Sequence, residues 1–477
     1  MSEFTAAQSP TAPATPAGRA DAWSDWGRSN WAWRNWAGNQ EARPARVLAP
    51  ASTDEVAAAI TAAAHDGLRI KAAGAGHSFT AIGVTDGVLL QLNRLTGITR
   101  ADRESGRVRV LGGTRLADLS PVLWELGLAL PNLGDIDVQT LTGALATGTH
   151  GTGAGLTGLA GAVSGLRIVT ADGTSRWCSE SEHPRLFQAA RVGLGALGVI
   201  TEVELQCRPA YLLRAQERPG RLAEVLDRLP ELVEGHRHVE FYWFPHTDRV
   251  LTKVNDPAPD AELAPLSRWR EYLDDELLSN VVFERVNRIV AGRPALAPRV
   301  NQLSARALSA REYVDRSYRV FCTRRDVRFT ESEYAVPRAA LDDVLRELRG
   351  WIERSGEKLP FPVEVRFAAA DDVWLSTAHE RPSAYVAIHQ YHRMDNRRYF
   401  AAFEAIVAEH NGRPHWGKLH TLDAQRLARL YPRLAAFQSV RAQVDPGGVF
   451  ANPYLDRVLG SVGESGVRSG GGFEPGS

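Results

Sequence analysis

The chain is 477 residues long, 44% hydrophobic and 23% charged, with 56 acidic and 56 basic side chains. That length calls for two large units plus tails, and that composition excludes a disordered or fibrous chain. The charge balance gives no footing for nucleic acid or an anionic membrane surface, and no run of about 18 apolar residues occurs, so no membrane span is expected.

The chain opens with residues 1–22, rich in Ala, Pro, Thr and Ser and read as a disordered tail. It has no basic start followed by an apolar core, so no secretory signal is expected. Five tryptophans lie between Trp23 and Trp36, and packing of this segment onto the body explains them better than a stacking platform for nucleic acid. A first unit is placed at 44–210. Ser52-Thr53-Asp54-Glu55 has the form of a capping box, and Val56, Ile60 and Ala63 or Ala64 follow at helical spacing up to Gly67. Leu68, Ile70 and Ala72 read as a strand running into Gly74-Ala75-Gly76. Val88–Leu92 and Val108–Val110 read as further strands. A helix is expected over Leu116–Leu126, with Pro121 in its first turn or kinking it. Ile168–Thr170 before Ala171-Asp172-Gly173 marks a strand and tight turn, and Val199–Leu205 alternates as a half-buried strand does.

The unit is α+β and lacks the repeated βαβ rhythm of a doubly wound dinucleotide fold. A second unit, 211–412, has a charged helical middle and strands around Val239–Phe244, Arg328–Tyr334, Val363–Phe367 and Tyr385–Gln390. A C-terminal segment follows at 413–459, then a Gly-rich tail at 460–477. Three scattered cysteines, Cys178, Cys207 and Cys322, suit structural thiols in a reducing cytoplasm.

Four segments carry chemistry. In Ala73-Gly74-Ala75-Gly76-His77-Ser78-Phe79, glycines let backbone N–H groups approach a phosphate, although an ordinary tight turn looks the same. The histidine that follows directly is the unusual part. Thr140–Gly153 is dominated by small and hydroxyl residues that suit contact with a flat ring and a phosphate, or a plain loop. In Val363–Phe367, alternation puts Glu364 and Arg366 on one strand face, either as a surface ion pair or as site residues. Arg413–His420 is a dense aromatic and cationic cluster. Zinc on His389, His392, His415 and His420 lacks supporting carboxylate or Cys spacing, so no metal is expected.

Six motifs, in order, resemble one family: GAGHSF at 74–79, GALATGTHGTG at 143–153, GLGALGVITE at 193–202, EYAVPR at 333–338, EVRF at 364–367 and PHWGK at 414–418. The chain is similar to the FAD-linked sugar-lactone oxidoreductases of the vanillyl-alcohol-oxidase superfamily, which include aldonolactone oxidases, aldonolactone dehydrogenases and alditol oxidases. The resemblance implies a two-part FAD-binding domain over 44–210, a sheet-based cap over 211–412, and a C-terminal segment returning to the flavin site. It implies FAD joined covalently to His77, and FAD contacts from Gly74, Ala75, Gly76, Ser78, Phe79, Asp135, Thr140, Gly143, Thr147, His150, Gly151, Thr152, Gly153 and Ile200. It also implies that the substrate, a sugar lactone or a polyol, delivers hydride to flavin N5, and that O2 or another acceptor takes the electrons. Arg366 would stabilise the reduced flavin, Glu364 would accept from substrate hydroxyls and hold Arg366, Lys418 would contact substrate and flavin edge, and His389 would bind substrate or take up its hydroxyl proton.

Overall fold

The structure, a computed structural model, describes residues 32–267, 269, 280–323 and 325–462. The expected 1–22 tail, Trp23, Trp26, Trp31 and all but the first three residues of the 460–477 tail lie outside the described residues.

The Thr53–His65 helix starts where its sequence says it should. The Ser52 hydroxyl accepts from Glu55 N–H at 3.1 Å, and the Glu55 carboxylate reaches back to Ala51 N–H at 2.8 Å, one residue before the usual capping-box donor. Its buried stripe, Val56, Ala59, Ile60 and Ala63, packs with Leu48, Ile70, Val88 and Leu90 of a three-stranded parallel sheet. That sheet has the order Arg46–Leu48, Val88–Gln91, Ile70–Ala73. A five-stranded antiparallel sheet completes the first unit, in the order Ser175–Ser179, Val163–Val169, Val199–Gln206, Arg107–Leu111, Ile98–Asp102. Val199, Thr201, Val203 and Leu205 are buried in alternation, and Gly173 takes φ +75° in the hairpin, as a tight turn needs. Pro121 sits in the second turn of the Leu116–Glu125 helix, on its exposed side, rather than in the first turn.

The second unit is built on one eight-stranded antiparallel sheet. Its order is Arg311–Arg316, Leu212–Arg221, Arg249–Pro257, His238–Trp243, Val363–Ala368, Ser383–Tyr391, Phe329–Pro337, Arg413–Pro414. Four of these strands match the sequence reading. Leu212–Arg221, Arg249–Pro257 and Arg311–Arg316 do not, because these strands at one side of the sheet alternate charged residues with few large apolar ones (Arg214, Gln216, Arg218). Phe241, Trp243, Val363, Val365 and Phe367 join a core with the Leu341–Ser355 and Arg397–Glu409 helices. The alternate residues on these strands therefore face the other way, toward the first unit.

The C-terminal segment crosses back to the first unit. Phe79 N–H donates to Gly417 O at 2.7 Å, Thr80 Oγ1 to Trp416 O at 3.2 Å, and Ile70 N–H to Val449 O at 2.8 Å. Asn452 caps the Pro453–Leu459 helix, and its amide nitrogen donates to the Ala81, Ile82 and Val84 carbonyls. Among the described residues no helix is long and apolar enough to cross a membrane.

Candidate active site

Antiparallel register lines up the polar residues of the cap sheet in rows. Glu364 stands opposite Tyr242 on one side and Ala387 on the other, and Ala387 stands opposite Glu333. In the neighbouring rows, Glu331 stands opposite His389, and Arg366 opposite Tyr385. The small Ala387 leaves space between Glu364 and Glu333. Lys418 comes in from the crossing segment and pairs with Glu331. This polar face closes a cavity of about 520 Å3, whose far wall carries His77, Ser78, Phe79, Asp135, Thr147 and His150 of the first unit.

Arg366 is the centre of the charge network. It is 7% exposed, and its guanidinium meets Glu364, Glu240 at 3.1 Å and Asp135 at 3.3 Å. This disposes of the surface ion pair as a reading of the EVRF motif. Lys253 backs Glu240 at 3.3 Å, and Arg325 holds Asp135 at 2.5 Å. Burial raises Asp135, but Arg325 and Arg366 outweigh it and hold its carboxyl well below the usual range. Glu364 goes the other way. Burial pushes it up to about 7, against the pull of Arg366 and with the help of Asp135. His389 is pushed down by burial and so stays neutral near pH 7. Its Nδ1 lies 3.2 Å from Pro362 O and donates there, which leaves the Nε2 lone pair facing the cavity, 3.6 Å from Glu331 and 4.0 Å from Glu364.

His77 lies on the turn after the Ile70–Ala73 strand. Burial, then the nearby Lys418, pushes its imidazole down to about 4, so it is neutral. The two Gly-rich segments meet at Thr140. A Cβ at Gly74 would fall 2.3 Å from Thr140 Oγ1, and one at Gly143 would fall 2.7 Å from it. Glycine at both positions is therefore required by the packing of Thr140 between the two segments, while the space open to a cofactor is the cavity that His77, Ser78, Phe79 and Thr147 line. Thr152 and Gly153 also dock the two units. Thr152 Oγ1 donates to Val239 O and accepts from Phe367 N at 3.2 Å, and Gly153 N–H donates to Phe367 O at 2.8 Å, so this stretch stitches the first unit to the cap sheet. Thr152→Val removes both hydroxyl bonds and is expected to cost about 1–3 kcal/mol of stability, read as a lower denaturant midpoint. An unchanged midpoint would remove the hydroxyl from the docking contact.

Of the residues the sequence singles out, Glu364, Arg366, His389, Lys418, His77, Ser78, Phe79, Asp135, Thr147 and His150 line the one cavity. Gly74, Ala75, Gly76, Thr140, Gly143, Gly151, Thr152, Gly153 and Ile200 do not. Gly151 is hemmed in by Leu133 O and Asn132, where a Cβ would come within 2.4 Å of both. Sequence reasoning missed Glu240, Tyr242, Arg325, Glu331 and Glu333. The signal was available: in both Glu240-x-Tyr242 and Glu331-x-Glu333, polar residues recur at period two within a strand, as in Glu364-x-Arg366.

The four histidines weighed as zinc ligands do not converge among the described residues; only His415 joins a group with ligand spacing, His150, Glu333 and His415. His415 Nδ1 there accepts from Gly417 N–H at 3.1 Å, and His150 Nε2 faces Glu333 at 3.3 Å. Burial raises all three thiols, and Cys322 Sγ donates to Gly134 O, so none is activated as a nucleophile.

The D-arabinono-1,4-lactone oxidase family matches residues 203–458, and the FAD binding domain matches residues 44–179. An L-gulono-1,4-lactone dehydrogenase of Mycobacterium tuberculosis is 41% identical, covering 90% of this chain and 99% of its own length. An L-gulonolactone oxidase of Scyliorhinus torazame is 33% identical, over 91% and 100%. An alditol oxidase of a Streptomyces species is 31% identical, over 89% and 98%. The crystal structure of cholesterol oxidase from B. sterolicum superposes with a TM-score of 0.76 at 18% identity, covering 90% of this chain and 96% of that one, a likeness of fold.

Proposed function

The chain belongs to the D-arabinono-1,4-lactone oxidase family of FAD-dependent oxidoreductases, and on that premise we propose that it oxidises an aldono-1,4-lactone of the L-gulono or D-arabinono type at its C2 hydroxyl, with FAD held covalently by His77. The observation that carries this reading is the meeting of Glu364, Arg366, His389 and Lys418 in one cavity with His77. FAD, when bound, would supply a ring that accepts one hydride, two electrons and a proton together. The chain's own groups do the rest. Glu364 accepts from a substrate hydroxyl, and His389 Nε2 takes up the proton of the hydroxyl being oxidised. Arg366 and Lys418 favour the negative charge that reduction leaves in the cavity. The product, a 2-keto lactone, enolises to an ascorbate-like compound.

A flat polar ring needs convergent donors and acceptors, and this cavity offers both signs. A site that bonds each hydroxyl rejects an analogue lacking one, because its own buried groups are left unpaired. Anaerobic stopped-flow mixing is the test. Gulono-, galactono- and arabinono-1,4-lactone are expected to reduce the flavin, and the 2-deoxy lactone is not. Faster reduction by xylitol or sorbitol than by every lactone would move the chain to the alditol oxidases. No reduction by any of them would leave a flavin-binding protein without turnover. Mixing the reduced protein with oxygenated buffer then reads whether O2 is the acceptor.

A pH dependence follows from Glu364. Its pKa is raised, so the carboxylate that accepts the hydroxyl is lost as pH falls through about 7. The rate of flavin reduction is expected to drop below that pH, with a limb that Glu364→Gln abolishes and His389→Asn leaves in place. A limb unmoved by Glu364→Gln would assign it to another group.

A further inference from the structure

The tryptophan cluster of the N-terminal segment has no part in the reaction above, yet one member touches the attachment residue. Trp33–Arg34 pairs with Glu41–Ala42 as a small antiparallel hairpin. Its tip lies on the His77 turn and takes up three of that turn's carbonyls. Trp36 N–H donates to Gly76 O at 2.8 Å, Asn35 Nδ2 to Ser78 O at 3.0 Å, and Asn39 Nδ2 and Gln40 Nε2 to Phe79 O at 2.9 and 3.0 Å. The tip is braced within itself by Asn35 Nδ2 donating to Asn39 Oδ1 at 2.6 Å. Gly76, at φ +72°, brings the chain so close that a Cβ would sit 3.3 Å from the Trp33 ring. The Trp36 indole is stacked on the His77 imidazole, with centroids 5.3 Å apart and planes 23° apart, and Phe329 of the cap sheet meets the indole edge-on at 5.2 Å. Trp36 and His77 line the same cavity. A loop histidine normally turns about χ1 and χ2; this one has its backbone pinned on both sides and one ring face covered.

We propose that the Trp33–Ala42 hairpin is a positioning element for covalent attachment of FAD, with Trp36 as the positioning residue that fixes the His77 imidazole for bonding to the flavin methyl carbon. The inference rests on the His77–FAD link proposed above. One N–C bond forms, while one C–H bond of the methyl group and one imidazole N–H bond break. Two protons leave, and two electrons pass through the flavin to the oxidant that reoxidises it in turnover, O2 or another acceptor. The neutral imidazole supplies the attacking lone pair.

The test compares purified wild type, Trp36→Leu, Trp36→Phe and His77→Ala. Two quantities are read from each: total FAD in the native protein, and flavin fluorescence that stays with the protein band after denaturation. Trp36→Leu is expected to keep native FAD while its attachment falls by up to about a hundredfold, the scale of a reacting group displaced by an ångström. Trp36→Phe, which retains a stacking ring, is expected to recover most of it. A purely structural role would not distinguish Leu from Phe in this way. Wild-type attachment in Trp36→Leu overturns the proposal while the His77 link stands, as does attachment in Trp36→Phe no better than in Trp36→Leu. A wild type that releases all its flavin overturns the link itself and this proposal with it. Should Trp36→Leu bind no FAD, Asn39→Ala decides: attachment below wild type supports the proposal, and attachment equal to wild type overturns it.

Discussion

Arg366→Ala is expected to slow flavin reduction by about a hundred- to a thousandfold, some 3–4 kcal/mol of lost charge stabilisation, while FAD stays bound. The size follows from the site. Arg366 is 7% exposed and is the shared partner of Glu364, Glu240 and Asp135, so solvent screens its charge little, and of the three only Glu240 and Asp135 have a second cation, Lys253 and Arg325. Its removal also leaves the buried Glu364 without its cation, while Lys253 and Arg325 still hold Glu240 and Asp135, and is expected to lower stability by about 3–5 kcal/mol. Arg366→Lys is expected to recover part of the stability but little of the rate, since an ammonium does not reproduce the planar fork that meets several carboxylates at once. Anaerobic stopped-flow absorbance reads the rate, retained flavin reads binding, and a denaturant titration reads stability. Reduction at near wild-type speed in Arg366→Ala would remove the residue from the site.

His77→Ala is expected to change flavin retention from complete to none. Acid-precipitated wild-type protein should stay yellow and fluorescent, and the variant should release all its FAD to the supernatant. The physical ground is a half-buried, neutral imidazole on the wall of the cavity that Glu364 and Arg366 also line. Because other groups of the first unit line the same cavity, the variant is expected to bind FAD reversibly before denaturation. If the wild-type flavin washes out with acid, the link is wrong, and non-covalent binding of FAD by the same cavity remains to be measured by titration.

Some of the site was legible in the chain itself. Ser52 and Glu55 announce the first helix because capping is a local bargain between residues three apart, and the structure makes the cap. The alternation of Glu364 and Arg366 with Val363, Val365 and Phe367 fixes which side chains share a face, because a strand reverses sides at every residue. The histidine after Gly74-Ala75-Gly76 stands out for the same local reason. The strands Leu212–Arg221, Arg249–Pro257 and Arg311–Arg316 were not legible, because their polar residues pair with one another across the sheet, as Glu217 does with Arg311 at 2.6 Å.

The sequence by itself therefore determined the local elements, the face on which each polar residue lies, and the six ordered motifs whose family resemblance the comparisons support. Only the tertiary structure decided which of these faces meet. Register across four strands put Tyr242, Glu364, Ala387 and Glu333 in one row, and the crossing segment brought Lys418 onto Glu331. It also made Thr152 and Gly153 part of the seam between the two units. The physical reason is that a strand's period says which way a side chain points, whereas its partners, its burial and hence its charge state depend on chain segments a hundred or more residues away.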